Sequence, residues 1–264
     1  MNLGIKDKIA LIGGASRGLG RGCALQLAKE GAKIAIIARD ETSLLKTQEE
    51  IRSFSNVEIF PIQADLSDIE SIKTDIVDKV INRFGQIDIL VTNSGGPLPG
   101  SFFSLKDGDW STAYTLVLEY VIELYNLIIP QMKEQNWGRI INCTSLSVKE
   151  PSENLVLSNV FRTGVVSLAK TISKDLISFG ITINNVCPGA FKTDRAIELM
   201  TAKSNQTGAS IQEIESEACK RMPLGRYQDS DEFGALVAFL SSEHAKGITG
   251  TSIQIDGGMY SGLF

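Results

Sequence analysis

Short aliphatic and β-branched runs alternate with longer helical stretches along the whole chain, and this alternation restricts its fold more than any other feature. The runs Lys8–Ile12, Lys33–Ala38, Val57–Gln63, Ile87–Thr92, Gly138–Thr144, Thr182–Val186 and Ser252–Ile255 read as strands. Several are almost continuously apolar, as strands covered on both faces must be. Helical patterns fill the intervals at Gly18–Glu30, Glu41–Ser53, Ile69–Phe84, Asp109–Glu134, Asn154–Phe179 and Ser230–Ser241. Gly31, Gly85, Gly138 and Gly180 stand just before strands, where helices commonly end. The alternation predicts an α/β fold: a parallel sheet of about seven strands with right-handed crossovers and helices on both faces. Residues 1–264 read as one domain, and the polar, helix-prone segment 192–223 reads as a lid or substrate-loop insertion.

The first strand runs directly into Gly13-Gly14-Ala15-Ser16-Arg17-Gly18-Leu19-Gly20, and a helix follows at once. Glycines at such a junction permit a tight turn and close backbone approach to a pyrophosphate, while the new helix presents unpaired N–H groups to the anion. A Rossmann-type, doubly wound sheet that binds a dinucleotide is the expectation, with Gly14, Ser16, Arg17, Gly18, Leu19 and Gly20 forming the cradle. The second strand ends on Ala38, where an NAD-reading site would carry a carboxylate, and Arg39 follows. Arg17 and Arg39 would flank a 2′-phosphate, so NADP is expected, with NAD as the alternative. Asp40, opening Asp40-Glu41-Thr42-Ser43, is expected to be an N-cap rather than a ribose ligand.

Composition narrows the functions. Of 264 residues, 43% are hydrophobic and the net charge is −5, with no basic stripe to suit a nucleic acid. The apolar runs look too short to span a bilayer, so no membrane partner is expected. Four scattered cysteines, Cys23, Cys143, Cys187 and Cys219, form no CxxC pair and are expected to be reduced thiols of a cytoplasmic protein. A single histidine, His244, argues against a transition-metal site and against a histidine-based triad.

The chain resembles the short-chain dehydrogenase/reductase family, most closely its β-ketoacyl carrier-protein reductase branch. Gly14, Gly18 and Gly20 match the family's GxxxGxG turn, and Asp65-Leu66 its adenine-contacting pair. Thr92-Asn93-Ser94-Gly95 resembles the Asn-Asn-Ala-Gly that closes its fourth strand. Pro188-Gly189 with Thr193 resembles the segment that holds the nicotinamide amide, and Asp256-Gly257-Gly258 the usual ending. The resemblance implies cofactor contacts at Asp65, Leu66, Asn93, Gly95, Pro188, Gly189 and Thr193. It also implies a homodimer or homotetramer built on the two long helices.

The departures fall on the chemistry. The family pairs a serine with a tyrosine and, one helical turn later, a lysine, and adds an asparagine from the preceding long helix. Ser145 holds the serine place, but Ser158 stands for tyrosine, Arg162 for lysine and Val117 for asparagine. An aliphatic hydroxyl is far less acidic than a phenol, and a guanidinium stays charged and cannot relay a proton as an amine can. Gly13, where the family usually has threonine, is expected to loosen the turn. Ser147, Lys149 and Glu150 on the following loop are candidate replacements, and Tyr114, Tyr120 and Tyr125 on the long helix are weaker ones. The leading expectation is an NADP(H)-dependent oxidoreductase acting on a small carbonyl or alcohol. Ser145 would be its oxyanion donor, Arg162 its ribose clamp and electrostatic stabiliser, and Ser158 a substrate hydrogen-bond donor. The alternative is a catalytically silent dinucleotide-binding sensor or partner subunit.

Overall fold

The computed structural model describes residues 2–263. Seven parallel strands, β1 Ile9–Ile12, β2 Lys33–Ala38, β3 Ile59–Gln63, β4 Ile89–Thr92, β5 Gly138–Cys143, β6 Ile181–Pro188 and β7 Ser252–Ile255, lie in the order β3-β2-β1-β4-β5-β6-β7. The order reverses between β1 and β4, which opens a crevice beyond their carboxyl ends. This is the doubly wound arrangement expected from the alternation.

Alternation within single strands sorts the side chains into two apolar layers. Ala10 and Ile12 pack with helices α1 Gly18–Lys29, α2 Glu41–Phe54 and α8 Ser230–Leu240. Ile9 and Leu11 pack with α3 (residues 69–84), α4 Asp107–Gln135 and α5 Val156–Leu176. Asp40 caps α2 as expected, accepting from the Ser43 N–H at 2.7 Å. Segment 192–223 folds as α6 Asp194–Thr207 and α7 Ile211–Arg221, opened by Thr193 and by the capping box of Ser210 with Glu213.

Two helices are locally underwound. Within α3 the run Ile72–Val77 is a π turn, and within α4 the run Thr115–Glu119 is another. The second falls on the helix that borders the crevice, and such bulges often re-aim side chains at functional sites. Helix α4 also corrects the sequence reading, since by length and composition it is long and apolar enough to cross a membrane. Charged Glu119 and Glu123 interrupt the run and hid its overall apolarity. Its apolar face is used in the core, where Tyr120, Val121, Leu124, Tyr125, Ile128 and Met132 are buried.

At the opposite end of the sheet, Arg139 of β5 is 1% exposed. Its guanidinium stacks on Trp137 at 4.4 Å and donates to the carbonyls of Gly138, Gly180 and Ser242 at 2.9, 3.0 and 3.3 Å. Burial holds its pKa below the usual arginine value, against the pull of Glu243, which lies 3.6 Å away. Replacing Arg139 by methionine should strand these carbonyls and destabilise the fold by roughly 2–3 kcal/mol. A lowered urea midpoint at unchanged slope would register it. E243Q should cost far less, because Glu243 is half-exposed.

Candidate active site

The crevice begins at the turn between β1 and α1. A Cβ on residue 20 would approach the carbonyl oxygen of Gly14 to 2.3 Å, so only glycine lets the turn fold this tightly onto α1. Gly14 and Gly18 both take left-handed φ values, 56° and 55°. Gly13 does not loosen the turn. A Cβ there would meet the carbonyl oxygen of Asn93 at 2.4 Å, its N–H donates to Val91 at 3.1 Å, and Asn93 Nδ2 donates back to its carbonyl at 3.0 Å. Here Asn93 closes the turn, and a larger residue at position 13 would displace it.

The remaining cradle residues come together from five loops. Ser16 accepts at its carbonyl from Thr47 of α2 at 3.3 Å, and Leu19 packs against the core. Asp65 and Arg39 stand side by side, with Arg39 Nη1 3.8 Å from Asp65 Oδ2. Burial alone would raise the Asp65 carboxyl. Hydrogen bonds from Ser67 and the charge of Arg39 outweigh it and hold the group below its ordinary value. Leu66 is buried beside the turn, and Gly95 is exposed at the crevice. On the far side, Gly189 donates to Ile255 at 3.0 Å, next to Pro188, and Thr193 brings its methyl against Gly18 while capping α6. The segment expected to hold the nicotinamide and the glycine turn are therefore neighbours.

Both predicted phosphate-reading guanidiniums reach solvent. Arg17 lies 3.4 Å from Glu198 and 3.9 Å from Asp194, both on α6, and Arg39 pairs only with Asp65 among the described residues. A polar groove of about 430 Å³ runs past Arg17, Ser43, Lys46 and Thr47. Lys46 was not foreseen. It sits near the Asp40 carboxyl, which Ser43 holds below its ordinary value with smaller help from Lys46 and Arg17. Its spacing from Ser43 along α2, one helical turn, is the signal that would have placed it here.

The residues expected to carry the chemistry lie at the ends of β5 and β6. Ser145 leaves β5 and accepts from the Ser147 N–H at 3.1 Å, which keeps its own proton for donation. Ser158 and Arg162 share a face of α5 but bond to different partners. Ser158 is buried with its Oγ 3.4 Å from Ser147 Oγ, whereas Arg162 Nη1 donates to the Cys143 carbonyl at 2.7 Å. Val117 is buried within the π turn of α4. That turn leaves the Leu116 carbonyl to accept from Ser94 Oγ at 2.8 Å.

Of the three tyrosines on α4, only Tyr120 sits near this centre. Tyr120 is buried, and burial pushes its phenol up to about 12 against the opposing influence of Ser94 and the Arg162 charge. Tyr125 faces the sheet instead, donating to Asn142 Oδ1 at 2.7 Å. Tyr114 is exposed and tilts against Phe161 at 6.0 Å, away from the polar cluster. Burial raises the Cys143 thiol to about 11 and also raises Cys187, which shares a 3.3 Å contact with Thr144 Oγ1. Lys149 Nζ lies 5.6 Å from the ring centroid of Tyr260. Glu150 is exposed. His244 is remote from all of these and contacts the Asn2 carbonyl at 2.8 Å.

Comparison with known proteins agrees with this fold. The family described as enoyl-(acyl carrier protein) reductase matches residues 14–260. The 3-oxoacyl-[acyl-carrier-protein] reductase FabG of Staphylococcus epidermidis is 34% identical over 257 residues, covering 96% of this chain and 99% of that one. The NADPH-dependent reductase BacG of Bacillus subtilis is 29% identical over 255 residues, 96% and 98% of the two chains. Among solved structures, L-sorbose reductase from Gluconobacter frateurii, in complex with NADPH and L-sorbose, superposes with a TM-score of 0.95 over 100% of both chains at 26% identity. Actinorhodin polyketide ketoreductase with NADPH gives a TM-score of 0.90 at 30% identity, over 96% of this chain and 97% of that one. With its sheet order, its glycine turn and these matches along nearly its full length, the chain belongs to the enoyl-(acyl carrier protein) reductase group of the short-chain dehydrogenase/reductase family.

Proposed function

We propose that the protein is an NADP(H)-dependent oxidoreductase that interconverts a small carbonyl compound and its alcohol through an active site without the usual tyrosine and lysine. One observation carries the reading: a close-packed glycine turn follows β1, and Ser145 and the cation of Arg162 stand at the carboxyl end of β5 in the same parallel sheet. The cofactor residues are Gly14, Ser16, Arg17, Gly18, Leu19, Gly20, Arg39, Asp65, Leu66, Asn93, Gly95, Pro188, Gly189 and Thr193. NADPH in the relatives and two solvent-reaching arginines here support the phosphorylated cofactor over NAD.

When bound, the reduced nicotinamide supplies the hydride. The chain's own residues orient the carbonyl and stabilise the charge that grows on its oxygen. Ser145 donates a hydrogen bond to that oxygen, and Arg162, fixed by Cys143, places a permanent positive charge beside it. Ser147 holds both serines, through its N–H on Ser145 and its hydroxyl against Ser158. Ser158 thus contributes as part of a hydroxyl relay rather than as a strong acid. Helices α6 and α7 act as the lid, tied to the cradle by Arg17 and Thr193.

Fluorescence titration with NADPH, followed by a turnover screen of ketones, aldehydes, sugars and oxo acids, tests the proposal. Turnover that S145A lowers at least tenfold supports it. Tight NADPH binding with no turnover on any substrate overturns it in favour of a silent dinucleotide-binding protein. Exposed Phe102, Phe103, Tyr114 and Val160 on and beside α4 and α5 further support a homodimer or homotetramer, and light scattering at micromolar concentration should give that mass rather than a monomer's.

A further inference from the structure

The crevice holds two half-buried cations that no carboxylate neutralises. Neither Arg162 nor Lys149 forms an ion pair among the described residues, although the chain as a whole carries a net charge of −5. Both bear on the same point, since the charges of Lys149 and Arg162 each act on the Cys187 thiol at the end of β6. Asp256, which lies close to Tyr260, accepts instead from the N–H groups of Gly258 and Tyr260 at 3.0 and 2.8 Å, and Glu150, next to Lys149 in sequence, is exposed and forms no ion pair with it among the described residues. Lys149 is instead held over the Tyr260 ring at 5.6 Å, a contact that steadies an ammonium without cancelling its charge.

Desolvating an unpaired cation is costly, so a partly buried pair without counter-charge implies an anion that arrives from outside. The cofactor does not provide one here. Its reduced nicotinamide is uncharged, and its phosphates belong at the glycine turn and the Arg17–Arg39 side. The proposed function gives Arg162 to the carbonyl oxygen, which leaves Lys149 as a single positive charge facing the substrate. A single charge matches a monoanion better than a phosphate dianion.

Building on the oxidoreductase reading above, we infer that the substrate is an oxo acid whose carboxylate is recognised by Lys149, steadied by Tyr260, while Arg162 and Ser145 hold its carbonyl oxygen. The reaction is then oxo acid plus NADPH plus a proton, giving hydroxy acid plus NADP⁺. The hydride forms the new C–H bond, and the proton, taken ultimately from solvent, forms the O–H bond. Lys149 changes neither charge nor covalent state during the step.

The test compares matched acids and methyl esters (pyruvate, acetoacetate, phenylpyruvate and their esters) by NADPH oxidation, using wild type, K149M and K149R. Wild type should prefer at least one acid over its ester by about tenfold or more, as expected for one charge-assisted contact. In K149M the acid's kcat/KM should fall at least fivefold more than the ester's, chiefly through KM, and K149R should recover most of the preference. Esters turned over as well as acids, or equal losses for acid and ester in K149M, would overturn the inference while leaving the oxidoreductase reading intact. A phosphorylated ketone preferred over every acid would also overturn it. Calorimetric binding of phenylpyruvate and acetoacetate to the NADPH-loaded protein needs no turnover. Acid binding weakened in K149M supports the inference even if the reductase reading fails, and absent or unaltered binding counts against it.

Discussion

Replacing Arg162 by alanine should lower kcat by about 10²- to 10³-fold, the range seen when one preorganised stabiliser of a developing oxyanion is removed. The guanidinium is anchored by the Cys143 carbonyl at 2.7 Å, so its position is set before any substrate arrives. Its charge also acts on Tyr120 and Cys143, and together with Lys149 on Cys187. On the proposed mechanism its loss removes charge beside the developing oxyanion, not charge on a solvated rim. R162K should recover only part of the rate, because an ammonium cannot hold the Cys143 carbonyl and present a second N–H in the same planar geometry. The variant's thermal midpoint should move little by comparison. A kcat within threefold of wild type at saturating substrate would remove Arg162 from the mechanism.

Most of the architecture was legible in the sequence because it depends on patterns that survive in one dimension. Buried parallel strands demand near-continuous apolar runs, which marks the central strands, and all seven were recognisable with differences only at their ends, although β7 at the sheet edge has no buried residue. Strand β6, for example, runs over Ile181–Pro188 rather than stopping at Val186, because its last residues pair with β7. The cradle was legible for the same reason, since glycine spacing encodes backbone geometry directly. The tightness at Gly13 is not legible because its constraint is long-range: it is Asn93, just past the end of β4, that fills the space a side chain would need. The π turns in α3 and α4 were invisible, since one extra residue in a helical turn barely alters an apolar pattern. Tyr120 and Lys149 show the wider limit. Their neighbours Arg162 and Tyr260 are far away in sequence, and only the order of the strands brings them together. Ser158 shows the limit in reverse: helical spacing placed it beside Arg162, but its hydroxyl turns to Ser147.

Replacing Arg39 by aspartate should lower the preference for NADPH over NADH by about 100-fold or more. Two effects combine. Removing one charge-assisted hydrogen bond costs about 1.5–3 kcal/mol, which is roughly 10- to 150-fold in affinity. A new carboxylate then repels the 2′-phosphate of NADPH, whereas it can accept from the free 2′-hydroxyl of NADH. Arg39 is suited to this role because little holds it elsewhere. Its side chain is 76% exposed, and its contact with Asp65 at 3.8 Å is a loose surface pair of the kind worth under about 1 kcal/mol. Arg17 is different, since Asp194 and Glu198 of α6 already compete for it. R17A should therefore change NADPH affinity less than R39D, and E198Q should tighten NADPH binding modestly by releasing Arg17. Fluorescence titration of both cofactors at two salt concentrations checks the set. NADPH affinity should fall with salt more steeply in wild type than in R39D, because the lost contact is ionic. An unchanged ratio of NADPH to NADH affinity in R39D would mean that Arg39 does not read the 2′-phosphate, and would transfer that role to Arg17 and Lys46 on the neighbouring groove wall.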